Sequence, residues 1–411
     1  MLHLNRLPGI VYNNRYRALI CLLLIIIATY YLVQWGIMCT NIESWQHVGK
    51  LCQLYRKGEA TGNLCKPLCI DKQIRSLKCH AFHAGKEAVF SADWEGTRLV
   101  FKTSQRIKDE YTEPVTWLKT RGLEHYPNED EFKMMIRDVI ALKLNLSISN
   151  DQLKRLSRLG FSKHNDISER HNEMKNIWAL LQDNEYLCSV LYADRDLFPQ
   201  LIGTCGPFFA VEYVEPIKSA PTILSLSDSR DDWAGRVKMA VMIMDLLDEL
   251  DTNLPEPFHL CDVKVSHFGL TKGEQRVKFL DLDSVLPRSV VGHITGGGQQ
   301  CTKHEDCDYF DCRSKCNLKK LRCDAPVVNN NLQIVCEKIF LGWTLSNTLV
   351  LPGLLMSEHT PPSLAALLRI CANPEHKKEG LARASASRDV QRRLYATLTE
   401  MRNILDNDLF V

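Results

Sequence analysis

Three ionisable side chains stand where the transfer of a phosphoryl group would need them. Lys102 ends the apolar run Arg98-Leu99-Val100-Phe101-Lys102, where an ammonium can pair two phosphates of a nucleotide. Asp262 lies in Phe258-His259-Leu260-Cys261-Asp262-Val263-Lys264, with Lys264 two residues on. Asp281 follows the apolar run Val277 to Leu280 and opens Asp281-Leu282-Asp283. Phosphoryl transfer needs one carboxylate to orient the attacking hydroxyl and another to hold a divalent ion on the phosphates. Singly, each residue has a plainer reading. A lysine ending a strand is usually solvated, and an aspartate in a loop usually caps a turn. Asp281 and Asp283 also fit a D-x-D metal motif, so a type II glycosyltransferase is an alternative reading.

The elements that must position these residues are legible in part. Ala88 to Phe90 and Thr97 to Lys102 read as strands around a turn at Trp94-Glu95-Gly96. Residues 128–196 lack proline and carry i, i+3, i+4 apolar spacing, which predicts helices. Leu201-Ile202 and Phe208 to Val214 read as two short strands. From Asp231 to Leu250, apolar residues at 233, 237, 240, 244 and 247 predict an amphipathic helix. A loop from Leu260 to Gly269 leads to a strand at Val277 to Leu280, and the chain after the last cysteine cluster reads as helical. This is the element order of a protein kinase fold. In that order Gly85 takes the place of a phosphate-covering glycine, and Glu212 and Val214 lie in the adenine-binding hinge. Glu185, in the middle of a helix from Ile177 to Tyr192, is the acidic partner expected for Lys102.

Composition narrows the setting. With 51 basic and 49 acidic side chains in 411 residues, no broad field exists to grip nucleic acid. Residues 18–38 carry no formal charge and are long enough to span a bilayer. Arg6, Arg15 and Arg17 precede this span, which predicts residues 1–17 in the cytosol and the rest in the lumen. A cleaved signal peptide is disfavoured, because Trp35, Ile37 and Met38 stand where small residues should be. Sixteen cysteines suit an oxidising compartment. Disulfide candidates fall in a proximal group (Cys52, Cys65, Cys69 and Cys79, with Cys39 beside them) and a distal one (Cys301, Cys307, Cys312, Cys316, Cys323, Cys336). Their spacing fits zinc only loosely and leaves the pairing open. Asn145-Leu146-Ser147 is a glycan acceptor tripeptide, meaningful only if lumenal.

The chain resembles the divergent protein kinase domain 1 family, cysteine-rich type II membrane proteins of the endoplasmic reticulum. The resemblance covers nearly the whole chain. It rests on Trp178-Ala179-Leu180-Leu181-Gln182-Asp183-Asn184-Glu185, on Leu260-Cys261-Asp262 and on the run Cys301 to Cys323. It implies a kinase-like lumenal domain, reticulum residence with Arg15-Tyr16-Arg17 as a retrieval signal, and an EF-hand-like insertion before Glu185. The chain departs from both patterns. His267 stands five after Asp262, where an asparagine normally holds a second Mg²⁺, and imidazole suits that hard ion poorly. In the EF-hand register ending at Glu173, Ser162, His164 and Asp166 take the first ligand positions and Ile167 replaces the turn glycine. That set predicts weak or absent Ca²⁺ binding.

The expected fold class is therefore α+β. A transmembrane helix (18–38) is followed by a cysteine-rich segment (39–80), a kinase-like small lobe (81–214, insertion about 128–175) and a large lobe (215–411, cysteine insert 301–323). The expected function is that of a pseudokinase or weakly active kinase, a lumenal binding module with an unidentified lumenal protein partner. An active kinase using ATP with Mg²⁺ or Mn²⁺ is the alternative. The Golgi membrane is the second choice of location.

Overall fold

Alternation along one strand pair organises the first part of the chain. In Thr97–Ser104, Leu99, Phe101 and Thr103 are buried while Arg98, Val100 and Lys102 face the other side half-covered, as period-two geometry requires. The computed structural model describes residues 17, 19–30, 41–80, 86–104, 119–120, 123–124, 126–159, 167–217, 228–271, 273, 276–345, 348–351, 353–377 and 380–408. Two compact units share them. The first holds residues up to Tyr126, Arg158–Gln182 and Ile202–Tyr213; the second holds Pro127–Ser157, Asp183–Leu201 and Val214–Val411. The expected insertion at 128–175 is thus not a single block: residues 127–157 belong to the second unit and 158–182 to the first.

The first unit is built on a five-stranded antiparallel sheet in the order β1 (Arg75–Cys79), β2 (Lys86–Trp94), β3 (Thr97–Ser104), β5 (Phe208–Glu212), β4 (Leu201–Cys205). The β2–β3 turn needs two residues with positive φ, supplied by Glu95 (49°) and Gly96 (76°). The rings of Phe90 and Phe101 stack at 5.2 Å, with Phe208 at 6.1 Å from Phe90, and Leu51, Leu64 and Leu99 close the core around them. The cysteine-rich segment is part of this core. Disulfides Cys52–Cys69 and Cys65–Cys205 bind the helices Asn41–Arg56 and Cys65–Cys69 to one another and to β4. Gly62 makes that join possible. Its φ is 139°, and a Cβ there would lie 2.2 Å from the Thr204 carbonyl oxygen.

In the second unit, β6 (Glu215–Pro216), β8 (Phe268–Leu270) and β9 (Val277–Phe279) form one small sheet, and β7 (Phe258–Leu260) pairs with β10 (Val285–Pro287). The amphipathic helix runs from Arg230 to Thr252, capped by the Ser229 hydroxyl on the Asp232 N–H, and buries Trp233, Val237, Ala240, Met244 and Leu247 as their spacing predicts. The tail is not helical throughout: Trp343–Leu345 and Thr348–Leu351 form a hairpin between helices. Thr, Trp and Val are strand formers, and pairing between the two runs overrides the helical reading.

All ten cysteines proposed for disulfides are bridged. Their partners also include Cys205, Cys261 and Cys371, which belong to neither cluster. Cys301–Cys316 and Cys307–Cys323 staple the insert; oxidised sulfurs are not the thiolates that zinc would need. Among the described residues no helix is long and apolar enough to cross a membrane. Residues 18 and 31–38 of the expected span, and Gly85, lie outside those residues.

The bridge Cys65–Cys205 joins two residues of the first unit that lie 140 positions apart in sequence, so its loss should be costly. Cys65→Ser with Cys205→Ser should lower stability by about 2–5 kcal/mol. The check is the denaturation midpoint of the full-length chain under non-reducing conditions, and an unchanged midpoint would refute it.

Candidate functional site

Two paired ribbons of the second unit bring its acidic residues to one end. The β8–β9 register sets Phe268 opposite Phe279, and the Leu280 N–H donates to the His267 carbonyl (2.7 Å), extending the ladder to the residue before Asp281. On the other ribbon, the Cys261 N–H donates to the Ser284 carbonyl (3.0 Å), which lays the residue before Asp262 alongside the end of the Asp281-Leu282-Asp283 segment. Asp262 and Asp281, 19 positions apart in sequence, come together this way.

Asp262 is half-buried, and its Oδ2 accepts from Lys264 Nζ at 2.9 Å. His267 lies between the two aspartates. Its Nδ1 is 3.0 Å from the Asp262 backbone carbonyl and its Nε2 is 3.3 Å from Asp281 Oδ2. Asp262, His267 and Asp281 each offer a donor atom within 4.8 Å of the others, and so do Glu185, Asp281 and Asp283. Two overlapping donor sets that share Asp281 fit a divalent ion of the kind phosphoryl transfer uses.

Glu185 is placed differently from the expectation. The helix ends at Leu181, and a separate one begins at Asn184, because the Asp183 carboxylate caps the Glu185 and Tyr186 N–H groups. Glu185 therefore stands in a first turn, not mid-helix. It is buried, and its Oε1 accepts the Leu282 N–H at 3.1 Å, tying it to the metal-candidate segment. Lys102 and Glu212 belong to the first unit; Lys102 sits opposite Val89 and Phe209 in the sheet, and Glu212 opposite Leu99. Val214 opens the last segment of the second unit, just before β6.

The residues that hold the loop in place were not legible in the sequence. Cys261 is bridged to Cys312, the Asp311 N–H donates to the Cys261 carbonyl (2.7 Å), and Asp311 Oδ2 accepts from the Val263 N–H (2.8 Å). Asp311 is itself paired with Lys338. The one available signal was a cysteine directly before Asp262. Asn145 is exposed at a helix C-terminus with φ 47°, and its side-chain nitrogen donates to Ser289 Oγ at 3.0 Å.

Of the EF-hand-like register that the resemblance implies, only the last positions can be described, since Ser162, His164 and Asp166 lie outside the described residues. Glu173, in the last ligand position, is buried; its Oε1 accepts the Leu159 N–H at 2.8 Å and its Oε2 is ion-paired with the buried Arg170. Arg170 occupies the ninth position of the same register, so a guanidinium stands where a calcium loop supplies oxygen. Arg170→Leu should cost about 1–3 kcal/mol, because the buried Glu173 charge loses its nearer guanidinium and keeps the Leu159 N–H and the longer, more exposed contact to Arg158 at 3.8 Å. Millimolar Ca²⁺ should leave the wild-type melting temperature unchanged. A Ca²⁺-dependent rise would reverse this assignment.

His259, on β7 ahead of the loop, is buried and its Nδ1 has no hydrogen-bond partner. Burial, reinforced by the Arg288 charge and opposed by Glu256, pushes its pKa down to about 4. The folded state thus needs the neutral ring. Its contribution is full above the unfolded value of about 6.5 and is lost as pH falls toward 4, by an amount on the order of 3 kcal/mol. His259→Phe should flatten the decline in stability between those two pH values; an unaltered profile would contradict this.

Residues 177–374 match the model described as "Protein-kinase domain of FAM69", and residues 8–158 match "N-term cysteine-rich ER, FAM69". Among solved structures, the BubR1 kinase domain aligns over 80% of this chain and 81% of its own, at 8% identity and a TM-score of 0.37. The complex of Rv3197 with erythromycin from Mycobacterium tuberculosis aligns over 94% of each chain, at 14% identity and a TM-score of 0.27. The two family models describe one family and between them take in most of the sequence: the chain belongs to the FAM69 family of divergent, cysteine-rich protein kinase domain proteins associated with the endoplasmic reticulum, and carries its kinase-like domain.

Proposed function

We propose that the chain is a phosphotransferase of the secretory lumen, anchored by residues 18–38 and facing the lumen with everything after them. The observation that carries this reading is the convergence of Asp262, His267 and Asp281 within 4.8 Å, the first two on a loop tethered by the Cys261–Cys312 bridge. Asp262 accepts the hydrogen bond of an acceptor hydroxyl and aims its oxygen. Lys264, bonded to the same carboxylate, offsets negative charge as the phosphoryl group passes. Asp281, with Glu185 bracing its segment through Leu282, is the carboxylate that holds the divalent ion. When bound, that ion supplies charge neutralisation on the phosphates. Lys102, Glu212 and Val214 are the residues assigned to the nucleotide, and the acceptor is a hydroxyl of a lumenal protein or glycan.

A second reading, a pseudokinase that binds without turnover, is favoured by His267 in the place of the usual asparagine. The two part on one experiment with the full-length chain: nucleotide-induced thermal shift measured beside ADP release, each with Mg²⁺ and with Mn²⁺. Asp281→Asn and Lys102→Ala should lose the shift. Asp262→Asn should weaken the shift less than Asp281→Asn does and lose at least about 100-fold in ADP release. A shift without ADP release establishes the pseudokinase, and no shift with either metal ends both readings.

The topology has its own check. The lumenal assignment supports glycosylation of Asn145, so a glycosidase should raise the electrophoretic mobility of the wild type and leave Ser147→Ala unaffected. Equal mobility of all four samples counts against a lumenal Asn145.

A further inference from the structure

We propose that His267 is a direct ligand of the divalent ion, and that it makes the site selective for first-row ions of the Mn²⁺ to Zn²⁺ class over Mg²⁺. The inference rests on the proposed metal-dependent reading of the site and names the metal that this reading takes.

The two nitrogens of His267 carry the argument. A carbonyl oxygen only accepts, so the nitrogen 3.0 Å from the Asp262 carbonyl, Nδ1, bears the hydrogen. In the neutral ring Nε2 then presents a lone pair, and it does so toward Asp281 Oδ2 at 3.3 Å. A proton on Nε2 would join these two atoms as an ion pair, and a divalent ion would take both as ligands. A proton would bridge this pair alone, whereas Asp262 brings a third donor within 4.8 Å of both. A shared metal ion satisfies all three. Metal-binding histidines are set up in the same way: one nitrogen donates to a backbone carbonyl, which fixes the tautomer and aims the other at the metal. The side chain of His267 is only 12% exposed and its ring meets that of Phe279 edge-on at 6.0 Å, so the ring is held in this orientation by packing as well.

The donor set decides the metal. Mg²⁺ demands oxygen ligands and gives up water reluctantly, so an imidazole in its shell is a loss. First-row divalent ions gain from nitrogen, and their affinity for such sites rises from Mn²⁺ toward Zn²⁺. A pair of carboxylates with one imidazole therefore ranks these ions above Mg²⁺ even where Mg²⁺ is in excess.

The experiment uses Mn²⁺ as probe on the full-length chain, without nucleotide. Binding is read from loss of the free-ion electron paramagnetic resonance signal, and nitrogen ligation from electron spin-echo modulation. The expected result is a bound Mn²⁺ that is lost in Asp281→Asn and shows nitrogen modulation that is lost in His267→Asn. Mg²⁺ should displace it from the wild type only at about tenfold or greater excess, and His267→Asn should narrow that preference at least about threefold. Bound Mn²⁺ without nitrogen modulation, or displacement by equal Mg²⁺, overturns the inference while leaving the phosphotransferase reading intact if nucleotide still shifts the melting temperature. No Mn²⁺ bound at all overturns it as well, and a missing nucleotide shift beside that result removes the reading on which it stands. The wild-type competition needs no variant; His267→Gln replaces His267→Asn should the latter not fold.

Discussion

The Cys261–Cys312 bridge is the constraint on which the candidate site depends. The segment from Cys261 to His267 is short irregular backbone with a three-residue 3₁₀ turn, Val265–His267, as its only regular structure. Backbone this poor in internal hydrogen bonds needs partners elsewhere. The Asp311-Cys312 dipeptide supplies them at Cys261 and Val263: a carboxylate for the Val263 N–H, an N–H for the Cys261 carbonyl, and a sulfur for the Cys261 side chain. That dipeptide is itself fixed. Tyr309 and Cys312 exchange backbone hydrogen bonds, Lys338 pairs with Asp311, and Asn329 donates to the Asp311 carbonyl. Rigidity passes from the cysteine insert to the loop that carries Asp262.

The insert has its own anchorage. Arg313 is fully buried, donating to both oxygens of Glu337 and to the Ala382 carbonyl, while Arg383 grips Asp308 with two nitrogens. Forked guanidinium–carboxylate contacts have one good geometry, so they fix direction as well as position. Burying such charges gains little net stability against an apolar core, but breaking one leaves a stranded charge. Together with the disulfides they make the insert a rigid buttress for the loop.

What was legible in the sequence divides along physical lines. Strands β2 and β3 and the helix Arg230–Thr252 were legible because local periodicity decides them, and Asp262 and Asp281 because short motifs surround them. The Glu185 helix was misread as continuous because both halves carry the same apolar period. The break at Asp183 is a capping event of one side chain, which periodicity does not register. The hairpin at Trp343–Leu351 was missed for the opposite reason, since pairing between two short runs is non-local. The roles of Asp311, Cys261 and Cys371 depend on contacts 35 to 51 residues apart for the bridges alone, and no spacing rule reaches that far.

His267 and Arg170 are the two departures from familiar ligand patterns, and they resolve in opposite ways. At the end of the expected EF-hand-like register a guanidinium is paired with the Glu173 carboxylate, and both side chains are buried. Near Asp281 the substituted side chain is itself a donor, its tautomer is set by a carbonyl, and the carboxylates beside it remain partly open to solvent. The first arrangement neutralises its buried charge within the protein. In the proposed metal site the converging donors repel one another, Lys264 offsets part of the Asp262 charge, and the loop beneath them must be stiff enough to hold the rest. The bridge to Cys312 provides that stiffness in a compartment where disulfides persist. On the proposed reading the covalent tether and the imidazole belong to one design, in which the tether holds the loop of Asp262 in place and the imidazole sets the choice of metal.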